Sequence, residues 1–309
     1  MHLLIPFAAP LSATGRQTLA TLALPRLQAL LGRLTEVERD EADEWCLSPP
    51  HERALARALG WQGGSGLLPW AARQAALDGI DVGELAWGQL TPVHWLLGTD
   101  QVSLLDPDQL QLDEAGSRTL FDAVLPLFTG QGYALHWAAP LRWYAAHESL
   151  AALPSASLDR VIGRNVDAWL GSDPAARRLR RLQSEVQMVL HTHPLNAERE
   201  ARGLLAVNSF WLSGCGAFQG GHAATPRVDG RLRSPALNDD WAAWASAWKA
   251  LDAGPLAELL AQAQQGAAVR LTLCGERSGV TYAAAPRGWA RRLRSLWAAP
   301  SPQQVLEPL

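Results

Sequence analysis

Short apolar runs that read as buried strands alternate along this chain with longer stretches whose apolar residues recur at helical spacing, and this alternation confines it to the α/β class. His2 to Phe7 reads as a first strand, and a Leu/Ala-rich helical pattern follows from Gly15 to about Glu38, interrupted near Pro25. Pro49-Pro50 marks a break before a short helix from His51 to Leu59. A glycine-rich loop from Gly60 to Gly66 precedes another helix around Pro69 to Ala76. Gly88 to Leu105 alternates like paired strands, with Gly98-Thr99-Asp100 as the turn.

Leu112-Asp113-Glu114 introduces a helix to about Phe128, followed by a strand around Tyr133 to Tyr144. Helices are expected from Leu158 to Leu170 and from Pro174 to about His191, the second with proline in its first turn. Val207 to Leu212 reads as a strand running into a glycine-rich loop, Ser213 to Gly221, and Pro226 to Pro235 as a further loop. Asn238-Asp239-Asp240 caps a helix whose Trp241, Trp244, Trp248 and Leu251 share one face as a core seam. A helix from Pro255 to Gln264 and a strand from Ala268 to Leu273 come next. In the segment Pro286 to Trp297, an amphipathic helix would line up Trp289, Leu293 and Trp297 to dock on the protein's own core or on a protein partner, leaving its arginines accessible.

Composition removes several function classes. With 48% hydrophobic residues the chain can bury a core. No run reaches the roughly 18–20 apolar residues of a membrane span, so no membrane association is expected. No basic residue precedes the apolar start, which argues against a secretory signal. Cys46, Cys215 and Cys274 fit neither a disulfide framework nor a CxxC metal site, so a cytoplasmic location follows. A net charge of −3 gives no global pull on nucleic acid, leaving only local contacts open.

Polar residues concentrate between His191 and Gly216, HTHPLNAEREARGLLAVNSFWLSGCG. His193, Asn196, Arg199 and Arg202 could face Asn208, Ser209 and Ser213, and arginine forks beside the amides of Gly214 and Gly216 suit a phosphate or carboxylate. The same residues could equally form a capping network that fixes a tight crossing. A zinc site through His191, His193, Cys215 and His222 lacks the usual spacing. Gly214-x-Gly216-x-x-x-Gly220 lacks the following helix of a dinucleotide fingerprint. Neither a GxSxG serine nor a cysteine beside a base is present, so no catalytic residue, cofactor or metal is expected.

HPLNAEREARG followed by VNSFWLSGCG resembles the signature of archaeal-type, cofactor-independent phosphoglycerate mutases, over roughly residues 107 to 216. The whole chain, through NSFWLSGCG and LTLCGERSG, is similar to the RpfE-type regulatory proteins of bacteria. The resemblance implies a reduced alkaline-phosphatase/phosphoglycerate-mutase-like α/β core. Residues 1–106 and 207–309 would form that core, with 107–206 as an inserted α/β subdomain. Where the mutases carry a metal-binding aspartate after the first strand, this chain has Ala8-Ala9-Pro10, and where they carry an Asp-His pair it has Glu276-Arg277. Arginine offers only donors and cannot ligate metal.

The expectation is therefore a non-catalytic regulatory or ligand-sensing protein that holds a small phosphorylated or carboxylated anion. Its candidate site comprises Arg142, His193, Asn196, Arg199, Asn208, Ser213, Gly214, Gly216, Glu276 and Arg277. Two alternatives stay open: a phosphate-handling enzyme with a rearranged site, and a protein-interaction module linked to DNA metabolism.

Overall fold

The computed structural model describes residues 1–171, 174–221, 225–284 and 300–309. The sequence begins strand β1 (His2–Ile5), helices α1 (Ala13–Thr21) and α2 (Pro25–Leu31), strand β2 (Leu34–Glu41) and helix α3 (Pro50–Ala58). There follow α4 (Trp70–Leu77), β3 (Ala86–Val93), β4 (Trp95–Leu97), β5 (Val102–Leu104), α5 (Glu114–Thr129), β6 (Ala134–Ala139) and β7 (Arg142–Ala146). Next come α6 (Leu158–Val161), α7 (Pro174–His191), α8 (Pro194–Ala201) and β8 (Ser209–Ala217). The remainder is β9 (Arg227–Val228), α9 (Arg233–Leu237), α10 (Trp241–Ala253), α11 (Pro255–Gln264), β10 (Arg270–Cys274), β11 (Ser278–Ala284) and α12 (Pro302–Leu306). The class is mixed α/β with open sheets.

The chain divides into two compact units: Met1–Trp45, Pro49–Gly60 and His222–Leu309 form the first, and Cys46–Ser48 with Trp61–Gly221 the second. In the second unit β3 is a central strand, paired with both β7 and β8. In the first unit the sheet order is β2-β11-β10-β1-β9, with β1 parallel to both β9 and β10. Alternation along β1 sends Leu3 and Ile5 to a core with Leu27, Trp244, Trp248 and Leu271, and Leu4 to the opposite face with Ala54 and Cys274. The tryptophan seam of α10 packs as its spacing predicts, and Asp240 accepts from the Ala243 amide as its N-cap.

In the second unit the sheet runs β6-β7-β3-β8, antiparallel throughout. One face packs on α5 and α7 through Leu120, Phe128, Val186, Leu190 and Phe210. The other carries α4, whose Ala71, Ala72 and Ala75 meet Trp87 and Tyr144.

Several elements differ from the sequence reading. The helix expected to run to Glu38 stops at Leu31, and Leu34–Glu41 is an edge strand antiparallel to β11. Pairing overrides the helical propensity of its Glu and Arg residues, while their charges protect the edge. The helix expected from Leu158 to Leu170 is only α6 and a 3-10 turn at Val166–Trp169. It breaks at Gly163, which has a φ of 75°, where Ile162 and Asn165 bridge to β5. Tyr133 to Tyr144 is a hairpin rather than one strand, and the glycines after Leu212 continue β8 to Ala217. The amphipathic segment Pro286 to Trp297 and His222 lie outside the described residues. Among the described residues no helix is long and apolar enough to cross a membrane.

Candidate functional site

The segment after α7 is built around α8, to which the sequence analysis assigned no element. Pro194 occupies its first turn, and the His193 ring Nδ1 caps it by accepting from the Leu195 amide at 3.2 Å. Asn196, buried one turn in, donates through its amide nitrogen to Leu190 O and Val207 O, both at 2.8 Å. Its oxygen accepts from Val207 N at 2.9 Å. One amide side chain therefore joins the end of α7 to the approach of β8, all within a buried environment where unmade bonds are costly.

Arg199 is also turned inward. Its Nε donates to Leu205 O at 2.9 Å and its Nη2 to Leu110 O. Burial lowers its pKa, although guanidinium remains the charged form. Asn208 pairs with the edge of β4, accepting from Trp95 N at 2.7 Å and donating to Trp95 O at 2.9 Å. Its amide takes the place of a neighbouring strand for that residue.

Gly214 and Gly216 lie within β8. Gly214 has a φ of 65°, and a Cβ there would stand 2.9 Å from Ala71 N and 3.0 Å from Trp70 Cβ. A Cβ on Gly216 would come within 3.0 Å of Pro69 Cβ. The glycines thus let the first turn of α4 lie directly on the strand. Ser213 is half-buried between Leu212 and Gly214 and opposite Gln89 of β3.

Arg142 opens β7 and is gripped by Asp78 at the end of α4, Nε to Oδ2 at 2.8 Å and Nη2 to Oδ1 at 2.9 Å. The Tyr144 hydroxyl donates to the same carboxylate at 2.7 Å. Burial, together with that bond to Asp78, raises the phenol pKa and keeps it protonated.

Glu276 and Arg277 belong to the other unit, in the turn between β10 and β11, where Arg277 donates to Glu44 at 2.7 Å. The set therefore divides, with Arg142 and the 193–216 residues in the second unit and this pair in the first. Cys215 is buried and its thiol is pushed up to about 12 by loss of solvent. Among the described residues no His, Cys, Asp or Glu cluster of three is arranged to hold a metal ion.

Two further places lie outside the candidate set. At the end of β1, Phe7 adopts a φ of 55° while its carbonyl accepts from Trp244 Nε1 at 3.0 Å, and Ala8 and Ala9 are buried in apolar packing. Beside it, after β9, Asp229 is held by a two-pronged contact from Arg231 at 2.8 and 2.9 Å. The Asp229-Gly230 pair after a short strand was the available signal.

No family model matches the chain, and no curated protein does. Among solved structures it is similar to the cofactor-independent phosphoglycerate mutase of Thermoplasma acidophilum, at 12% identity and a TM-score of 0.37, covering 100% of this chain and 98% of that one. It is also similar to a protein from Pyrococcus horikoshii, at 12% identity and a TM-score of 0.48, covering 92% of this chain and 87% of that one.

Proposed function

We propose that this chain is a non-catalytic regulatory or ligand-sensing protein descended from a phosphoglycerate-mutase-like ancestor and working in the cytoplasm. The observation that carries the reading is Arg199, whose guanidinium is spent on the main-chain carbonyls of Leu110 and Leu205. Phosphoryl transfer needs positioned cations aimed at the transferred group. In this chain Arg199, Asn196 and Asn208 are aimed at backbone, and Arg142 at Asp78. The buried Ala8 and Ala9 after β1, where the resemblance implies a metal-binding aspartate, support the same reading. Its regulatory character rests on the sequence resemblance to the RpfE-type proteins, and the cytoplasmic location on cysteines at a spacing that fits no disulfide framework. Any small anion held near Arg142 has to compete with Asp78.

A mutase assay on the full chain, with 3-phosphoglycerate and added Mn²⁺ or Mg²⁺, tests the reading. The expected result is no turnover above the protein-free control. Turnover that an Asp78→Asn or Arg142→Gln exchange abolishes would establish an enzyme and overturn it.

A further inference from the structure

The second unit contains a half-enclosed cavity of about 40 Å³ that none of the candidate site residues, from Arg142 to Arg277, lines. It lies between the segment 153–156, the 3-10 turn Val166–Trp169, the first turns of α7, and β8. Leu153, Trp169, Leu179, Trp211 and Leu212 give it apolar walls. These walls are set in place by the fold. The Trp211 indole donates to Ala156 O at 2.9 Å, and Gln183 Nε2 donates to Phe210 O at 2.7 Å. Ser155 Oγ accepts from Cys215 N at 3.2 Å.

Arg180 stands at this apolar space, half-buried. Two nearby arginines on α7 are engaged, Arg178 with Gln131 O and Arg181 with Glu185. Among the described residues, none places a carboxylate within ion-pair distance of Arg180. A guanidinium fork beside an apolar wall is complementary to a ligand with an anionic head and a short apolar body.

We propose that this cavity binds a small aliphatic monocarboxylate, its carboxylate on Arg180 and its body among Trp169, Trp211 and Leu212. Size and charge select that class. A water needs roughly 10–15 Å³ of such space, so the cavity accepts a body of a few heavy atoms, such as an isopropyl group. A phosphate dianion would leave water for apolar walls with a single cation to compensate it, which is costly. A neutral amide of the same shape forfeits the charge-assisted bonds. The site shares no residue with the set centred on Arg142 and Arg199, so it holds whether or not the chain proves catalytic.

The test is a titration of the full-length ¹⁵N-labelled chain with isobutyrate, isobutyramide or inorganic phosphate, followed through the indole resonances of Trp169 and Trp211. Isobutyrate is expected to shift both saturably at millimolar concentration, and the other two compounds to leave them in place. Arg180→Gln is expected to weaken the isobutyrate response by about tenfold, equivalent to about 1.4 kcal/mol. Arg181→Gln, on the exposed side of α7, is expected to leave it unchanged. Absence of a saturable shift, an equal response to phosphate, or an unaltered Arg180→Gln titration would each overturn the proposal.

Discussion

Asp78 and Arg142 meet through two parallel hydrogen bonds, which tie the end of α4 to the first residue of β7. Burial pushes the Asp78 carboxyl up, but bonds from Arg142, Tyr144 and Gln74 outweigh it and hold the group below the ordinary aspartate range. A carboxyl whose pKa is lowered by folding contributes stability above its unfolded pKa of about 3.9, and loses it as pH falls through the folded value. Asp78→Ala is therefore expected to cost about 1–2 kcal/mol at neutral pH, discounted for the partial exposure of Arg142. In acid the gap between wild type and variant should narrow. Melting temperatures across the acid range check both the size and the sign.

Arg199 separates a structural role from a ligand role. Arg199→Met keeps an apolar stem but leaves the carbonyls of Leu110 and Leu205 without their donor. Each lost partner in a buried site costs about 1–3 kcal/mol, so a total of about 2–6 kcal/mol is expected in urea unfolding, with Arg199→Lys falling between. An anion-binding arginine would behave oppositely, leaving stability nearly unchanged on replacement and removing the response to anions.

The contrast between these residues and α10 indicates how far the sequence could be read. Asp240 caps α10 and its tryptophans recur at helical spacing, so every determinant of that helix is local and was legible. Leu34–Glu41 was misread because its strand state depends on pairing with β11, more than two hundred positions away. The same holds at the candidate site. Arg199 could be recognised as a donor, but its acceptor on Leu110 is 89 positions away and invisible to spacing. Asp78 went unnoticed because its partner Arg142 is 64 positions further on. Residue types announced a polar cluster; only the fold decides whether it faces a ligand or the chain itself.

Gly214 should be intolerant of any side chain. Its φ of 65° disfavours other residues, and a Cβ would press on Ala71 N and Trp70 Cβ, backbone and near-backbone atoms that cannot swing away. Gly214→Ala is expected to destabilise by about 2–4 kcal/mol. Gly220, in the same glycine-rich run, has open space around its Cβ position, and Gly220→Ala should change stability by less than about 0.5 kcal/mol. Equal effects at the two positions would contradict the packing of α4 on β8.

The cysteines should differ sharply in reactivity. Cys215 and Cys274 are fully buried, and loss of solvent pushes each thiol up to about 12. Since the thiolate is the nucleophile, each would be ionised to only about one part in ten thousand at pH 8, besides being shielded from reagent. Cys46 is partly exposed, with its sulfur 3.3 Å from Ser48 O and from Ser65 Oγ. Titration of the native chain with a thiol-reactive disulfide should therefore release one equivalent promptly, and all three only after denaturation. Cys46→Ser should abolish the prompt phase. A second fast thiol in the native state would mean that β8 or β10 opens readily, and the buried strands described for Cys215 and Cys274 would need revision.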